Sequence, residues 1–190
     1  MTQIRQFLCH LAVMVGLGLV LGFAQPMGAM ALGGAQPALN QPAPAFSLPS
    51  NQGDGQISLE GYQGHWVVLY FYPKDFTSGC TLEARRFQQD LPKYKQRNVE
   101  VVGVSVDDVD SHTEFCDSEG LKFPLLADVD GAVSKAYGSW LSGRSLRHTY
   151  LIDPQGILRE RFLGVNPTLH STKVLARLAE LQQQLTDSVI

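Results

Sequence analysis

The chain has 190 residues and a formal net charge of −3, from 15 Lys and Arg against 18 Asp and Glu, and this mild acidity gives no support to nucleic-acid binding. Its length suits one compact domain with a sizeable core, and one domain is enough to account for it. The amino terminus reads as an address: Arg5 is the lone early charge, and an unbroken apolar run of 14 residues extends from Leu11 to Ala24. That run is short of the roughly 20 residues needed to cross a bilayer, and the small residues Ala29-Met30-Ala31 follow it. Residues 1–31 are therefore expected to be a signal peptide cleaved after Ala31, or an uncleaved anchor if the apolar stretch extends through Pro26 to Leu32. Either reading places the domain outside the cytoplasm, in a periplasm or a thylakoid lumen. Neither a twin arginine nor a Cys after a small-residue cleavage site is present, so Tat export and lipoprotein anchoring are not expected. Cleavage would remove Cys9 and leave 159 residues with a net charge of −4 and two thiols, Cys80 and Cys116, 36 positions apart.

Residues 32–44 are rich in Gly, Ala, Gln and Pro without apolar periodicity, and they read as a flexible linker ahead of a folded body over 45–190. Trp66 to Tyr72 is an aromatic and β-branched run, the signature of a strand buried on both faces, and Pro73 ends it. Leu82, Phe87 and Leu91 recur near helical spacing and predict a helix over about Thr81 to Arg97, which Pro92 kinks or divides. Val99 to Val106 is a second buried strand, parallel to the first. A short helix follows from Asp110 to Glu119, with Asp110 and Ser111 at its N-terminus and Gly120 as its C-cap. Phe123 to Leu126 and Arg147 to Ile152 are further strands, and a turn at Asp153-Pro154-Gln155-Gly156 returns the chain through Ile157 to Phe162 as a hairpin. An amphipathic helix from His170 to Leu185 covers one sheet face. The sum is an α/β domain with a central mixed sheet flanked by helices.

The segment carrying chemistry is Tyr72-Pro73-Lys74-Asp75-Phe76-Thr77-Ser78-Gly79-Cys80-Thr81-Leu82-Glu83, which sets one cysteine where a central strand gives way to a helix. Unpaired N–H groups and the macrodipole at such a terminus favour a thiolate, the nucleophilic form. A C-x-x-C dithiol would put a second cysteine at position 77, where this chain has Thr77, so a disulfide reductase is disfavoured; insulin reduction without peroxide turnover would revive it. Cys80, Thr77 and Pro73 match the P-x-x-x-T-x-x-C signature, and YPKDFTSGCTLEA resembles the bacterioferritin-comigratory, or peroxiredoxin Q, branch of the peroxiredoxins. GVSVDD, FPLLAD and RHTYLIDPQG follow in the order expected of that family, so the resemblance spans nearly all of the mature domain. It implies a thioredoxin-like fold and a thiol-dependent peroxidase that reduces hydrogen peroxide and organic hydroperoxides. It also implies recycling by thioredoxin or a similar dithiol donor, and a monomer.

The resemblance makes Cys80 the peroxidatic thiol and gives Thr77 a hydroxyl for the thiolate or the peroxide, unless Thr77 serves only as a helix cap. Pro73 would shield the thiolate from water. Arg147 would favour the thiolate and steady the departing oxygen, and Glu83 matches the family's acidic residue on the turn after the cysteine. Peroxide converts such a thiol to a sulfenic acid, which a second thiol must reduce before it becomes sulfinic. Many relatives carry that thiol five positions on, where this chain has Arg85, and some carry it on the helix that here holds Cys116. A Cys80–Cys116 disulfide with local unfolding is thus the expectation, the alternatives being a buried structural Cys116 with an external thiol or a redox-sensing module without turnover. His112 and His148 lie apart from any ligand cluster, so no metal is expected, and the glycines form neither a dinucleotide fingerprint nor a phosphate loop, so no organic cofactor is expected.

Overall fold

The computed structural model describes residues 32–187, so the signal or anchor read over 1–31 lies outside the described residues. The chain enters through a small antiparallel pair, β1 (Ser47–Pro49) and β2 (Gln56–Ser58), followed by a 3-10 turn at Leu59–Tyr62. Strand β3 (Trp66–Phe71), helix α1 (Ser78–Lys95) and strand β4 (Val99–Ser105) form the parallel unit expected from the sequence. Helix α2 (Val109–Glu119), β5 (Leu125–Ala127) and the one-turn α3 (Ala132–Ala136) follow. A two-stranded ribbon, β6 (Trp140–Leu141) with β7 (Arg144–Ser145), precedes β8 (Thr149–Ile152), β9 (Leu158–Phe162) and the closing helix α4 (His170–Asp187). The main sheet has the order β5-β4-β3-β8-β9, parallel across β3–β4 and β4–β5 and antiparallel across β3–β8 and β8–β9.

All six residues of β3 are buried, and their alternation sorts them onto the two faces of the sheet. Val68 and Tyr70, with Tyr72 just beyond, face Cys80, Ala84, Phe87 and Tyr94 of α1, Phe115 and Cys116 of α2, and Val174 and Leu178 of α4. Val67, Leu69 and Phe71 face the other way, toward Phe46, Val133, Tyr137 and Tyr150. Gly103 of β4 makes room for Tyr70: a Cβ there would lie 2.5 Å from Leu125 Cδ2 and 2.9 Å from the Tyr70 ring.

Several boundaries differ from the sequence reading, each for a local reason. Helix α1 begins at Ser78 rather than Thr81, so Cys80 lies inside its first turn, and it runs through Pro92, which has only three helical residues beyond it and forgoes one hydrogen bond near the end. The N-cap of α2 is Asp108, whose carboxylate accepts from the Ser111 N–H at 2.9 Å, rather than the Asp110 and Ser111 pair; Gly120 is the left-handed C-cap, φ 64°. Arg147 stands before β8 rather than within it. The segment read as a flexible linker is docked on the domain: the Asn40 and Ala43 N–H groups donate to Leu158 and Gly156 carbonyls at 2.8 and 2.9 Å, and Gln36 bonds Gly138 and Tyr150.

Candidate active site

Strand β3 delivers the chain through Tyr72–Thr77 to the start of α1, and Cys80 is the third residue of that helix. The first intrahelical bond runs from the Thr81 N–H to the Thr77 carbonyl at 2.9 Å, so the Ser78, Gly79 and Cys80 amides precede the i to i−4 ladder. Cys80 is 1% exposed. Arg147 reaches it from the segment just before β8, the strand paired with β3: Nη2 donates to Cys80 Sγ at 3.4 Å, while Nη1 donates to Glu83 Oε2 at 2.5 Å. Gly79 permits this approach, since a Cβ there would lie 3.1 Å from Arg147 Nη2.

The Arg147–Glu83 pair is a charge arrangement bought against burial. Glu83 is fully buried, and burial raises its carboxyl from the usual range to about 7 although Arg147 pulls the other way. Its second oxygen, Oε1, has no hydrogen-bond partner among the described residues. Burial also works against the charge on Arg147, yet Glu83 and the Cys80 sulfur outweigh it and hold the guanidinium above its ordinary value. The Tyr70 hydroxyl is buried without a hydrogen-bond partner among the described residues, and burial, then Glu83, Cys116 and Cys80, raise it well above the usual phenol range. Both thiols share one core cluster with Tyr70.

Thr77 occupies the N-cap position of α1 but makes no side-chain cap; its exposed hydroxyl donates to the Lys74 carbonyl at 3.0 Å, which leaves its oxygen free to accept. Pro73 is half-buried beside the site and lines a cavity of about 500 Å³ with Leu146, Arg147, Leu163 and Val165, while Cys80 itself does not line it. Cys116, on α2, is 5% exposed, and burial pushes its thiol up to about 11, partly offset by Asn51. Cys80 and Cys116 are both free thiols in the same core cluster.

The structure thus brings Cys80, Arg147 and Glu83 into contact, with Pro73 and Thr77 on the loop that frames them and Cys116 across the core. Sequence reasoning missed Gly79, whose lack of a side chain is what admits Arg147. It also missed Asp75, which is buried and accepts hydrogen bonds from Tyr72, Ser111 and His112 at 2.7 to 2.9 Å. Nothing in the mixed polar and apolar loop sequence around it singled it out. His112 and His148 are both buried and apart, and burial lowers His148 from its ordinary value.

A family model described as the AhpC/TSA family matches residues 39–161. Peroxiredoxin Bcp of Xanthomonas campestris is 39% identical over 150 residues, covering 74% of this chain and 93% of that relative. A mitochondrial thioredoxin-dependent peroxide reductase of Drosophila melanogaster is 36% identical over 156 residues, covering 76% of this chain and 67% of the fly protein. Among solved structures, a mutant of Xylella fastidiosa PrxQ has a TM-score of 0.74 at 32% identity, covering 78% of this chain and 99% of that one. Xanthomonas campestris Peroxiredoxin Q has a TM-score of 0.68 at 35% identity, covering 71% of this chain and 90% of that one. The mixed sheet with flanking helices is the thioredoxin-like fold of these neighbours. With a model matching most of the chain and relatives this similar along it, the chain belongs to the AhpC/TSA family as a peroxiredoxin of the bacterioferritin-comigratory, or peroxiredoxin Q, branch.

Proposed function

We propose that the protein is a thiol peroxidase in which the Cys80 thiolate attacks a hydroperoxide. The sulfur takes the terminal oxygen, the O–O bond breaks, and the departing oxygen leaves as water or an alcohol after taking a proton, with Cys80 left as a sulfenic acid. The observation that carries this reading is the two-handed grip of Arg147, one nitrogen on Cys80 Sγ and the other on buried Glu83. A guanidinium fixed at that point favours the anionic sulfur and stands ready for charge developing on the leaving oxygen, before the reaction begins. Glu83 holds Arg147 in place, the Thr77 oxygen is open to a peroxide proton, and Pro73 closes the site toward solvent.

In the second half-reaction Cys116 attacks the Cys80 sulfur to form a disulfide and release water, and a thioredoxin or similar dithiol restores both thiols. Support comes from the placement of both cysteines in one core cluster with Tyr70 and from the name of a relative, a thioredoxin-dependent peroxide reductase. As part of the same reading the protein is exported, to a periplasm or thylakoid lumen, and works as a monomer. A one-cysteine cycle with an external thiol is the second reading, favoured by the burial and raised pKa of Cys116.

Intact mass after one equivalent of hydrogen peroxide, with Cys80→Ser and Cys116→Ser beside the parent, tests both thiols. A loss of about two mass units in the parent alone supports the disulfide cycle. Oxygen added at Cys80 without a disulfide establishes the one-cysteine cycle, and an unreactive Cys80 refutes the peroxidase.

A further inference from the structure

A buried polar cluster joins the loop that carries the site to the helix that carries Cys116, and the peroxidase step leaves it without a role. Its centre is Asp75, 3% exposed, in the loop between β3 and α1. Asp75 Oδ1 accepts from the Tyr72 hydroxyl at 2.7 Å, and Oδ2 accepts from Ser111 Oγ at 2.9 Å and bonds His112 Nδ1 at 2.8 Å. The Asp75 N–H donates to Asp107 Oδ2 at 2.9 Å, and that oxygen also accepts from Ser105 Oγ at 2.6 Å, which ties the loop to the end of β4. Ser111 and His112 lie in the first turn of α2, and His112 stands four positions before Cys116 on the same helix face.

The next loop residue grips the same helix from outside. Phe76 is half exposed and holds φ +59°, a left-handed conformation that persists only where surroundings over-determine it, and its ring packs edge-on against Phe115 with centroids 5.2 Å apart. Two consecutive residues of the peroxidatic loop therefore clamp the first two turns of α2. His112 Nε2 is buried and has no hydrogen-bond partner among the described residues, so the cluster leaves one polar atom unsatisfied.

We infer that Asp75, Ser111 and His112 form a latch that holds α2 on the peroxidatic loop of the reduced protein and sets the rate at which Cys116 reaches the Cys80 sulfenic acid. The inference rests on the reading of Cys116 as the resolving thiol. In the step it controls, the Cys116 thiolate attacks the Cys80 sulfur, an S–S bond forms, the S–O bond breaks, and the hydroxide released takes up the proton lost by Cys116. A disulfide brings the two Cβ atoms to about 3.8 Å, whereas α1 packs on β4 and α4 and α2 packs on β5, each held by its own contacts. Opening the latch frees α2 to move, and it exposes a thiol that burial otherwise holds at about 11. His112 and Ser111 are then positioning residues: they touch no reacting atom and act through the placement of Cys116.

The test is quenched-flow mass spectrometry of the full chain after a peroxide pulse, resolving sulfenic acid formation from disulfide formation, in the parent and in Ser111→Ala, His112→Leu and His112→Asn. The first step should be unchanged within about twofold in all four, which also reports that each is folded with its site intact. Disulfide formation should be about tenfold faster in Ser111→Ala and His112→Leu, the equivalent of about 1.4 kcal/mol for a lost hydrogen bond to a charged group. His112→Asn, which keeps a donor near Nδ1, should return toward the parent rate, and sulfinic acid formed under excess peroxide should fall in the two fast variants. Disulfide formation at an unchanged or slower rate in Ser111→Ala and His112→Leu overturns the latch alone. A parent that forms no disulfide overturns the assignment of Cys116, and the latch with it.

Discussion

The buried Glu83 stores a cost in the folded protein, and removing its charge should release that cost while damaging the site. Its carboxyl stands at about 7 in the folded state against a reference of 4.5, because burial outweighs the attraction of Arg147. A folded-state pKa raised in this way means that the group's contribution to stability is fully present below about 4.5 and is lost as pH rises through about 7. The gap corresponds to about 3 kcal/mol of stability withheld from the ionised protein at pH 8. Glu83→Gln imitates the protonated carboxyl and keeps an oxygen to accept from Arg147, so it should be more stable than the parent by up to about 3 kcal/mol at pH 8 and nearly equal to it below pH 4.5. The assay is denaturant unfolding of the reduced protein at both pH values, with the peroxidase rate measured alongside. That rate should fall by at least about tenfold, since a neutral amide grips a guanidinium less firmly than a carboxylate does. A variant no more stable than the parent at pH 8, or a difference that does not shrink on acidification, would refute the account of Glu83 as a charge held against burial.

Arg147→Lys should lower the second-order rate with hydrogen peroxide by roughly a hundredfold, because one ammonium cannot hold Cys80 and Glu83 at once; competition against a haem peroxidase reporter measures it. Thr77→Val should cost about tenfold in the same assay while Thr77→Ser retains the parent rate, since the hydroxyl oxygen rather than a helix cap is what the site uses. Gly103→Ala should destabilise the reduced protein by about 1–3 kcal/mol in chemical denaturation, because its Cβ collides with Leu125 and Tyr70 in the middle of the sheet.

Long elements with a strong period were legible in the sequence. The aromatic run of β3, the valine run of β4 and the apolar stripe of α4 each bury enough side chain to dominate their local pattern, and they predict the mixed sheet and its covering helix. The two- and three-residue strands β1, β2, β6 and β7 and the five-residue α3 are too short to show any period. The docked segment before Ala45 was missed for a different reason: Gln36 finds its partners at Gly138 and Tyr150, more than a hundred positions away, and nothing local announces them. The start of α1 was placed three residues late because Ser78 and Gly79 are poor helix formers, whereas a first turn needs little propensity when the sheet fixes where it begins. At the site, Cys80, Thr77 and Pro73 came from a specific motif, whereas Arg147 and Glu83, and the approach of Arg147 to the sulfur, were foreseeable only through family resemblance. The Asp75–His112 contact joins a loop to a helix across 37 positions, so only the fold could reveal it.

The rate at which hydrogen peroxide oxidises Cys80 is the measurement that tests the peroxidase reading most directly. Competition against a haem peroxidase reporter, with Cys80→Ser as the blank, should give a second-order rate constant several orders of magnitude above that of a free cysteine thiolate, lost entirely in the blank. A rate no faster than free cysteine, or one that survives in Cys80→Ser, would contradict the claim that Arg147 and the first turn of α1 make this thiol a peroxidase.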